Sequence, residues 1–163
     1  MTAQSEWDIA SLVERGGVHY DVPGSNQKEL IASAIELLPA IPSLDPKTLL
    51  REILDREALM STGIGRGIAL PHPRRPMLEN AAPLVAVVFP AQSLDWNTPD
   101  GSKVHTLFLI VSSSTKQHLG VLSKITFLSQ QEAFHSLIAA RSSQKEIIAA
   151  IREAEKTWTR SDV

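Results

Sequence analysis

Three side chains that could do chemistry interrupt apolar patterns in separate parts of the sequence. His72 ends the stretch 60–72, which carries three glycines at every second position. His118 falls on the apolar face of a predicted helix, in its first turn, and Arg56 falls on the apolar face of another. Neutral imidazole is a good nucleophile, and phosphoryl transfer depends mainly on positioning and on nearby cations and N–H donors. The three residues would suit a phosphorylated histidine.

Each residue would have its own part in such a site. His72 would accept the phosphoryl group. Arg56 would offer a planar fork to two of the phosphoryl oxygens, and His118 would offer a ring N–H. The free amides at the start of the His118 helix would add further donors. This scheme requires neither a metal nor another cofactor.

The glycine-rich stretch does not match the common phosphate-binding or hydrolase motifs. A dinucleotide-binding fingerprint would need glycine where Ile68 stands, and the Gly-Lys-Ser/Thr of a P-loop is absent. A nucleophile elbow around Ser61 would need glycine in place of Leu59. A glycine-rich β-turn that leads into a core strand stays open as the structural alternative.

The arginines also have structural interpretations. Arg56 could form an ion pair with Glu52 or Asp55, or extend its head to water, because burying an unpaired guanidinium is unfavourable. Arg66 and the pair 74–75 add positive charge near His72. These residues could meet a phosphate or an acidic partner, and ordinary solvated charges are the simpler interpretation.

The remaining histidines are assigned more modest roles. His105 begins a predicted strand and could reach the site, although a hydrogen-bonded structural histidine is the simpler interpretation. His19 and His135 lie away from the motif and are assigned to structure or surface. A zinc site of His72, His105 and His118 is a weaker alternative, since there is no tight His-x-x-x-His pair and no obvious carboxylate ligand.

The composition limits the class of protein. A chain of 163 residues with 43% hydrophobic residues suits one domain with a sizeable core. Sixteen basic and 18 acidic residues give a net charge of −2, which argues against nucleic-acid binding and a polybasic membrane patch. The absence of cysteine excludes disulfides and thiolate chemistry. Without a signal-like start or a long uninterrupted apolar run, we expect a cytoplasmic protein with no direct membrane insertion.

Hydrophobic periodicity and turn residues divide the chain into alternating elements. The expected strands cover residues 18–22, 84–89 and 104–111, of which the last two are central and joined by a hairpin-like connection. The expected helices cover 8–15, a segment capped by Ser25 and ended by Pro42, 46–59, 116–129, 131–140 and a last segment opened by a Ser143-x-x-Glu146 capping box. The tail from Thr157 is expected to fray. We predict an α/β (α+β) fold with a central mixed sheet of about four or five strands and helices on both faces.

Three short motifs contain the candidate residues. They are Arg56-Glu57, then Ser61-Thr62-Gly63-Ile64-Gly65-x-Gly67-Ile68-Ala69-Leu70-Pro71-His72, then Lys116-Gln117-His118-Leu119. In these motifs, and over residues 8–155, the chain resembles the fructose/mannitol-type enzyme IIA domain of the bacterial phosphoenolpyruvate phosphotransferase system. Its single-domain form makes it most similar to the nitrogen-regulatory IIA proteins. The whole chain, 1–163, is therefore expected to be one such domain.

The resemblance implies a function and a set of partners. It implies that His72 accepts a phosphoryl group from the histidine-containing phosphocarrier protein, that His118 and Arg56 assist, and that the role is regulatory, exerted on target proteins. One alternative is a sugar-specific IIA subunit that passes phosphate to a IIB partner. Another is a regulatory binding protein that has lost phosphotransfer, because Pro73 stands where the family usually has glycine and removes a backbone N–H.

Overall fold

The computed structural model describes residues 8–79 and 81–161. Within these ranges the elements are α1 (Ile9–Gly16), β1 (Val18–Val22), α2 (Gln27–Glu36), α3 (Pro46–Leu59), β2 (Gly63–Gly65), β3 (Ile68–Ala69), β4 (Leu84–Pro90), β5 (Thr106–Val111), α4 (Thr115–Ser129), α5 (Glu132–Ala139) and α6 (Gln144–Ser161). The predicted α/β class is confirmed. None of the helices in the described ranges is both long enough and apolar enough to cross a membrane.

The strands of the described residues form one mixed sheet in the order β1-β4-β5-β3-β2. β4 and β5 run antiparallel, β1 is parallel to β4, β3 is parallel to β5, and β2 is antiparallel to β3. Every residue of β4 and β5 is buried, as expected of strands that are covered on both faces. The prediction of two central strands with a hairpin-like connection is confirmed.

Two hydrophobic clusters pack on opposite faces of the sheet. Val85 and Val87 of β4 point into the cluster that α1, α4, α5 and α6 cover. Ala86 and Val88 point into the cluster that α2 and α3 cover. Successive residues of a strand face opposite sides, so one buried strand serves both cores. The predicted arrangement of helices on both faces is confirmed.

Polar caps begin the helices at nearly the predicted places. Asp45 caps α3 and Ser114 caps α4, each through a side-chain oxygen that accepts a backbone N–H. The prediction of Ser25 as the cap of α2 is wrong. Asn26 caps this helix, because its carbonyl accepts the first intrahelical bond and its side chain accepts the N–H of Glu29 at 2.9 Å. Ser25 instead donates its hydroxyl to the Glu29 carboxylate at 2.6 Å.

Two other boundaries differ from the predictions. The sequence predicts fraying from Thr157, but α6 continues to Ser161. Trp158 is only 8% exposed and its ring meets Phe127 edge to face, so burial of a large aromatic ring stabilises this end of the helix. The strand predicted from residue 104 begins at Thr106, because Val104 forms only an isolated bridge with Leu94.

Candidate active site

The glycine-rich stretch folds into a β-hairpin at one edge of the sheet. A two-residue turn of Arg66 and Gly67 joins β2 to β3, with φ of 56° and 83°. Positive φ at both central residues is typical of a type I′ turn, whose twist matches that of paired strands. Gly67 has no room for a side chain, since a Cβ there would lie 2.2 Å from Cδ2 of His105. The structural alternative, a glycine-rich turn that leads into a core strand, therefore describes the backbone of this stretch correctly. The strand after the turn leads to His72.

Backbone hydrogen bonds fix the segment that carries His72. The N–H of Leu70 donates to the carbonyl of Thr62 at 3.0 Å, and the N–H of Ile110 in β5 donates to the carbonyl of Pro71 at 3.1 Å. His72 itself is 7% exposed, and its Nδ1 lies 2.7 Å from the carbonyl oxygen of Leu70. Because a carbonyl oxygen only accepts, Nδ1 carries the proton and Nε2 keeps its lone pair.

His118, which the sequence places on the inward face of its helix, has its ring tilted against that of His72. Their ring centroids are 4.6 Å apart and the ring planes are inclined by 51°. His118 lies in the first turn of α4, where its N–H donates to the carbonyl of Ser114 at 3.0 Å. Burial, the neighbouring His72 and Arg56 together lower the pKa of His118 to about 4. Near neutral pH, His118 is therefore an uncharged ring that can donate a single N–H.

Arg56 lies at the end of α3, close enough to influence both histidines. Burial lowers the pKa of His72, the bond to Leu70 opposes this shift, and the charge of Arg56 lowers the pKa further. The Nη1 of Arg56 donates to the carbonyl of Met60 at 2.7 Å. Within the described residues Arg56 has no ion pair with Glu52 or Asp55, so the ion-pair interpretation is wrong; Glu52 instead bonds to another arginine.

A cleft of about 420 Å³ opens beside the two side chains Arg56 and His72, which both line it. The rest of its wall comes from the glycine-rich stretch and from α4, namely Ser61, Thr62, Gly63, Ile64, Leu70, Leu122, Ser123 and Thr126. Leu122 is half-buried, packing against the core while it lines the cleft. The hydroxyls of Ser123 and Thr126 have no signal in the sequence that marks them as site residues.

The other histidines are held by bonds outside this cleft. Nδ1 of His105 lies 2.7 Å from Oγ1 of Thr106, and its ring meets that of His135 at 5.9 Å. Nε2 of His135 donates to the carbonyl of Arg66, and Nε2 of His19 donates to that of Gly16, each at 2.8 Å. The ring of His105 thus contacts that of His135 and not that of His72 or His118. Across 8–79 and 81–161, no cluster of three histidine, aspartate or glutamate side chains could hold a metal.

Glu57 is a residue of this region that reasoning from the sequence assigned no role. Its carboxylate accepts the N–H of Thr62 at 3.1 Å, the Thr62 hydroxyl, and the indole N–H of Trp96 at 3.2 Å. Thr62 and Trp96 are both buried. The one local signal for these bonds is the position of Glu57 at a helix end, five residues before Thr62. The contact with Trp96 spans 39 positions and has no local signal.

The segment after His72 begins with a proline and two arginines. Pro73 is buried and, as a proline, has no backbone N–H to donate. Arg74 and Arg75 are exposed, and Arg75 pairs with Glu52 at 3.2 Å. Arg66 likewise pairs with an exposed carboxylate. Arg66 and Arg75 are therefore exposed charges that pair with carboxylates of the same chain.

The sequence of this chain matches the family described as "Phosphoenolpyruvate-dependent sugar phosphotransferase system, EIIA 2" over residues 11–154. The chain belongs to this family. The resemblance inferred from the three motifs is therefore confirmed. Arg56 and His72 of the first two motifs line the cleft, and His118 of the third lies against His72.

Members of the family occur both inside longer proteins and as short ones. The chain is 26% identical to the fructose-specific EIIABC component of Bacillus subtilis strain 168, with 91% of this chain but only 24% of that protein covered. It is 33% identical to a nitrogen regulatory protein of Pseudomonas aeruginosa PAO1, with 72% of this chain and 77% of that protein covered. The crystal structure of nitrogen regulatory protein IIA-Ntr from Neisseria meningitidis superposes with a TM-score of 0.77 at 27% identity, covering 88% of this chain and 98% of that one.

Proposed function

We propose that this chain is a phosphocarrier of the phosphoenolpyruvate-dependent phosphotransferase system that accepts a phosphoryl group on Nε2 of His72. The donor is the phosphohistidine of the histidine-containing phosphocarrier protein. The observation that carries the proposal is the 2.7 Å contact between Nδ1 of His72 and the carbonyl oxygen of Leu70. It leaves a lone pair on Nε2 of a neutral ring that lines the cleft.

The transfer step needs no proton to leave His72. A bond forms between Nε2 and phosphorus while the bond between phosphorus and the donor imidazole nitrogen breaks, and its electron pair returns to the donor ring. Nδ1 of His72 keeps its proton throughout. The carbonyl oxygen of Leu70 faces this N–H and stabilises the positive charge that develops on the acceptor ring.

Arg56 and His118 are proposed to stabilise the phosphoryl group in transit. The guanidinium of Arg56 lines the cleft with His72, and its planar fork suits two phosphoryl oxygens. His118 lies with its ring against His72 and offers one N–H without adding a charge, because its pKa is lowered to about 4. A neutral donor avoids repulsion of the imidazolium-like acceptor ring during transfer.

A regulatory role of the nitrogen-regulatory type is part of the proposal. It is supported by the higher identity to a nitrogen regulatory protein, 33%, than to two fructose-specific proteins of the family, 26% and 24%. In this role, cytoplasmic target proteins would distinguish the phosphorylated from the unphosphorylated form. A sugar-specific subunit would instead pass the phosphoryl group to a IIB partner, and a IIB acceptor assay separates the two.

The experiment is phosphorylation from phosphoenolpyruvate with enzyme I and the phosphocarrier protein. We expect the wild-type chain to take up label, His72→Ala to take up none, and His19→Ala to behave as the wild type, because His19 bonds to Gly16 outside the cleft. Label that persists in His72→Ala would refute the assignment of the acceptor. If the wild-type chain takes up no label, the alternative of a binding protein that has lost phosphotransfer is favoured. Pro73 is the residue on which that alternative is based.

A further inference from the structure

Glu57, the neighbour of Arg56 at the end of α3, has no part in the transfer step described above. Its two carboxylate oxygens nevertheless collect three donors. Oε2 accepts the N–H of Thr62 at 3.1 Å, and Oε1 accepts both the Thr62 hydroxyl and the indole N–H of Trp96 at 3.2 Å. Trp96 is fully buried, so this carboxylate is anchored to the core on one side and to the glycine-rich stretch on the other.

The bonds continue from Thr62 to the acceptor histidine. The carbonyl of Thr62 accepts the N–H of Leu70 at 3.0 Å. The carbonyl of Leu70 in turn accepts the Nδ1–H of His72 at 2.7 Å. Three hydrogen bonds, joined by the backbone of Thr62 and of Leu70, therefore connect the Glu57 carboxylate to the nitrogen that determines the tautomer of His72.

Neighbouring contacts hold the same segment in one register. The hydroxyl of Ser61 donates to the carbonyl of Trp96 at 2.6 Å and accepts the N–H of Gly63 at 3.0 Å. Gly63 in turn lies so close to Thr98 that a Cβ would approach its Cγ2 to 2.5 Å. Residues on both sides of Thr62 are thus fixed to the Trp96 loop, and Glu57 supplies the charged acceptor at the centre.

We infer that Glu57 is a positioning residue for His72: through Thr62 and Leu70 it holds the proton on Nδ1 and so keeps Nε2 available. The inference rests on the proposed function, in which Nε2 is the acceptor. Both carboxylate oxygens are needed because each faces a donor. A glutamine would point an NH₂ group at a donor in either orientation, so at least one of these bonds is lost.

The test compares Glu57→Gln with the matched control Glu29→Gln. Glu29 makes a similar carboxylate arrangement in α2, accepting the N–H and the hydroxyl of Ser25 at 3.0 and 2.6 Å. The ¹⁵N chemical shifts of the His72 ring nitrogens report the tautomer without any phosphotransfer. We expect wild type and Glu29→Gln to show Nδ1 protonated. Glu57→Gln should show a mixture of tautomers and a transfer rate about 10- to 100-fold lower, as small misplacements of reacting groups produce.

The outcomes separate this inference from the proposed function. A folded Glu57→Gln protein with wild-type nitrogen shifts and wild-type transfer overturns the inference while the phosphocarrier function stands. If the wild-type chain takes up no phosphate, the proposed function is refuted. If Glu57→Gln nevertheless loses the Nδ1–H tautomer that the wild type shows, the positioning role is supported. If Glu57→Gln does not fold, Glu57→Asp carries the same readout, because its shorter carboxylate cannot span Thr62 and Trp96 together.

Discussion

Replacing Arg56 with alanine removes the guanidinium that lines the cleft beside His72. The hydrogen bond of this side chain runs to the carbonyl of Met60 at an exposed helix end. Losing one such bond costs about 0.5–1.5 kcal/mol of unfolding free energy. A preorganised donor to the transferring group is worth more, about 2.7–4 kcal/mol or 10²–10³-fold in rate. We therefore expect Arg56→Ala to slow transfer far more than it destabilises the fold.

Two assays on the same samples decide this prediction. Rapid-quench measurement of label transfer from the phosphorylated phosphocarrier protein gives the rate, and urea unfolding gives the stability. Arg51→Ala is the matched control, because Arg51 is exposed on the same helix and does not line the cleft. The transfer rate of Arg56→Lys should lie between those of the wild type and Arg56→Ala, since lysine keeps the charge without the planar fork. Normal transfer combined with a large loss of stability in Arg56→Ala would refute the reasoning.

Three further predictions follow from the site and its approach. Because the pKa of His118 falls from 6.5 to about 4 on folding, the unfolded chain binds the proton first as the pH drops. The free energy of unfolding should therefore decrease as the pH falls from about 6.5 to about 4. In urea titrations at several pH values, this decrease should be smaller in His118→Gln than in the wild type. Pro73→Gly restores a backbone N–H and should speed transfer roughly tenfold if that N–H reaches the phosphoryl group; an unchanged rate would show that it does not. Gly67→Ala should lower stability by about 1–3 kcal/mol in chemical denaturation, because φ is +83° and the new Cβ meets His105. Wild-type stability in that variant would contradict the hairpin geometry.

Local patterns were sufficient for most of the helices and for the inward residues. Asp45-Pro46 predicts the start of α3 because a cap and a first-turn proline act within one turn, and the structure begins the helix there. Arg56 and His118 could be singled out because each breaks an apolar face at helical spacing, and the structure brings both to His72. Polar residues on an apolar face are therefore informative even when the fold is unknown.

Contacts between distant parts of the chain could not be read from the sequence. β2 and β3 have three and two residues, too few for a period-two pattern to show. One bond of Glu57 comes from Trp96, which lies 39 positions away between β4 and β5. The burial of Trp158 likewise depends on α4, and a polar-looking tail gave no sign of it. Each of these features is set by tertiary packing.

The most direct test of the central claim is the position of the phosphoryl group on the acceptor ring. After phosphorylation by phosphoenolpyruvate, enzyme I and the phosphocarrier protein, long-range ¹H–¹⁵N spectra of the labelled chain report both ring nitrogens of His72. Since Nδ1 is bonded to the carbonyl of Leu70, we predict a phosphorus bond at Nε2 and a retained proton on Nδ1. Phosphate on Nδ1, on another residue, or on no residue would contradict the proposed mechanism.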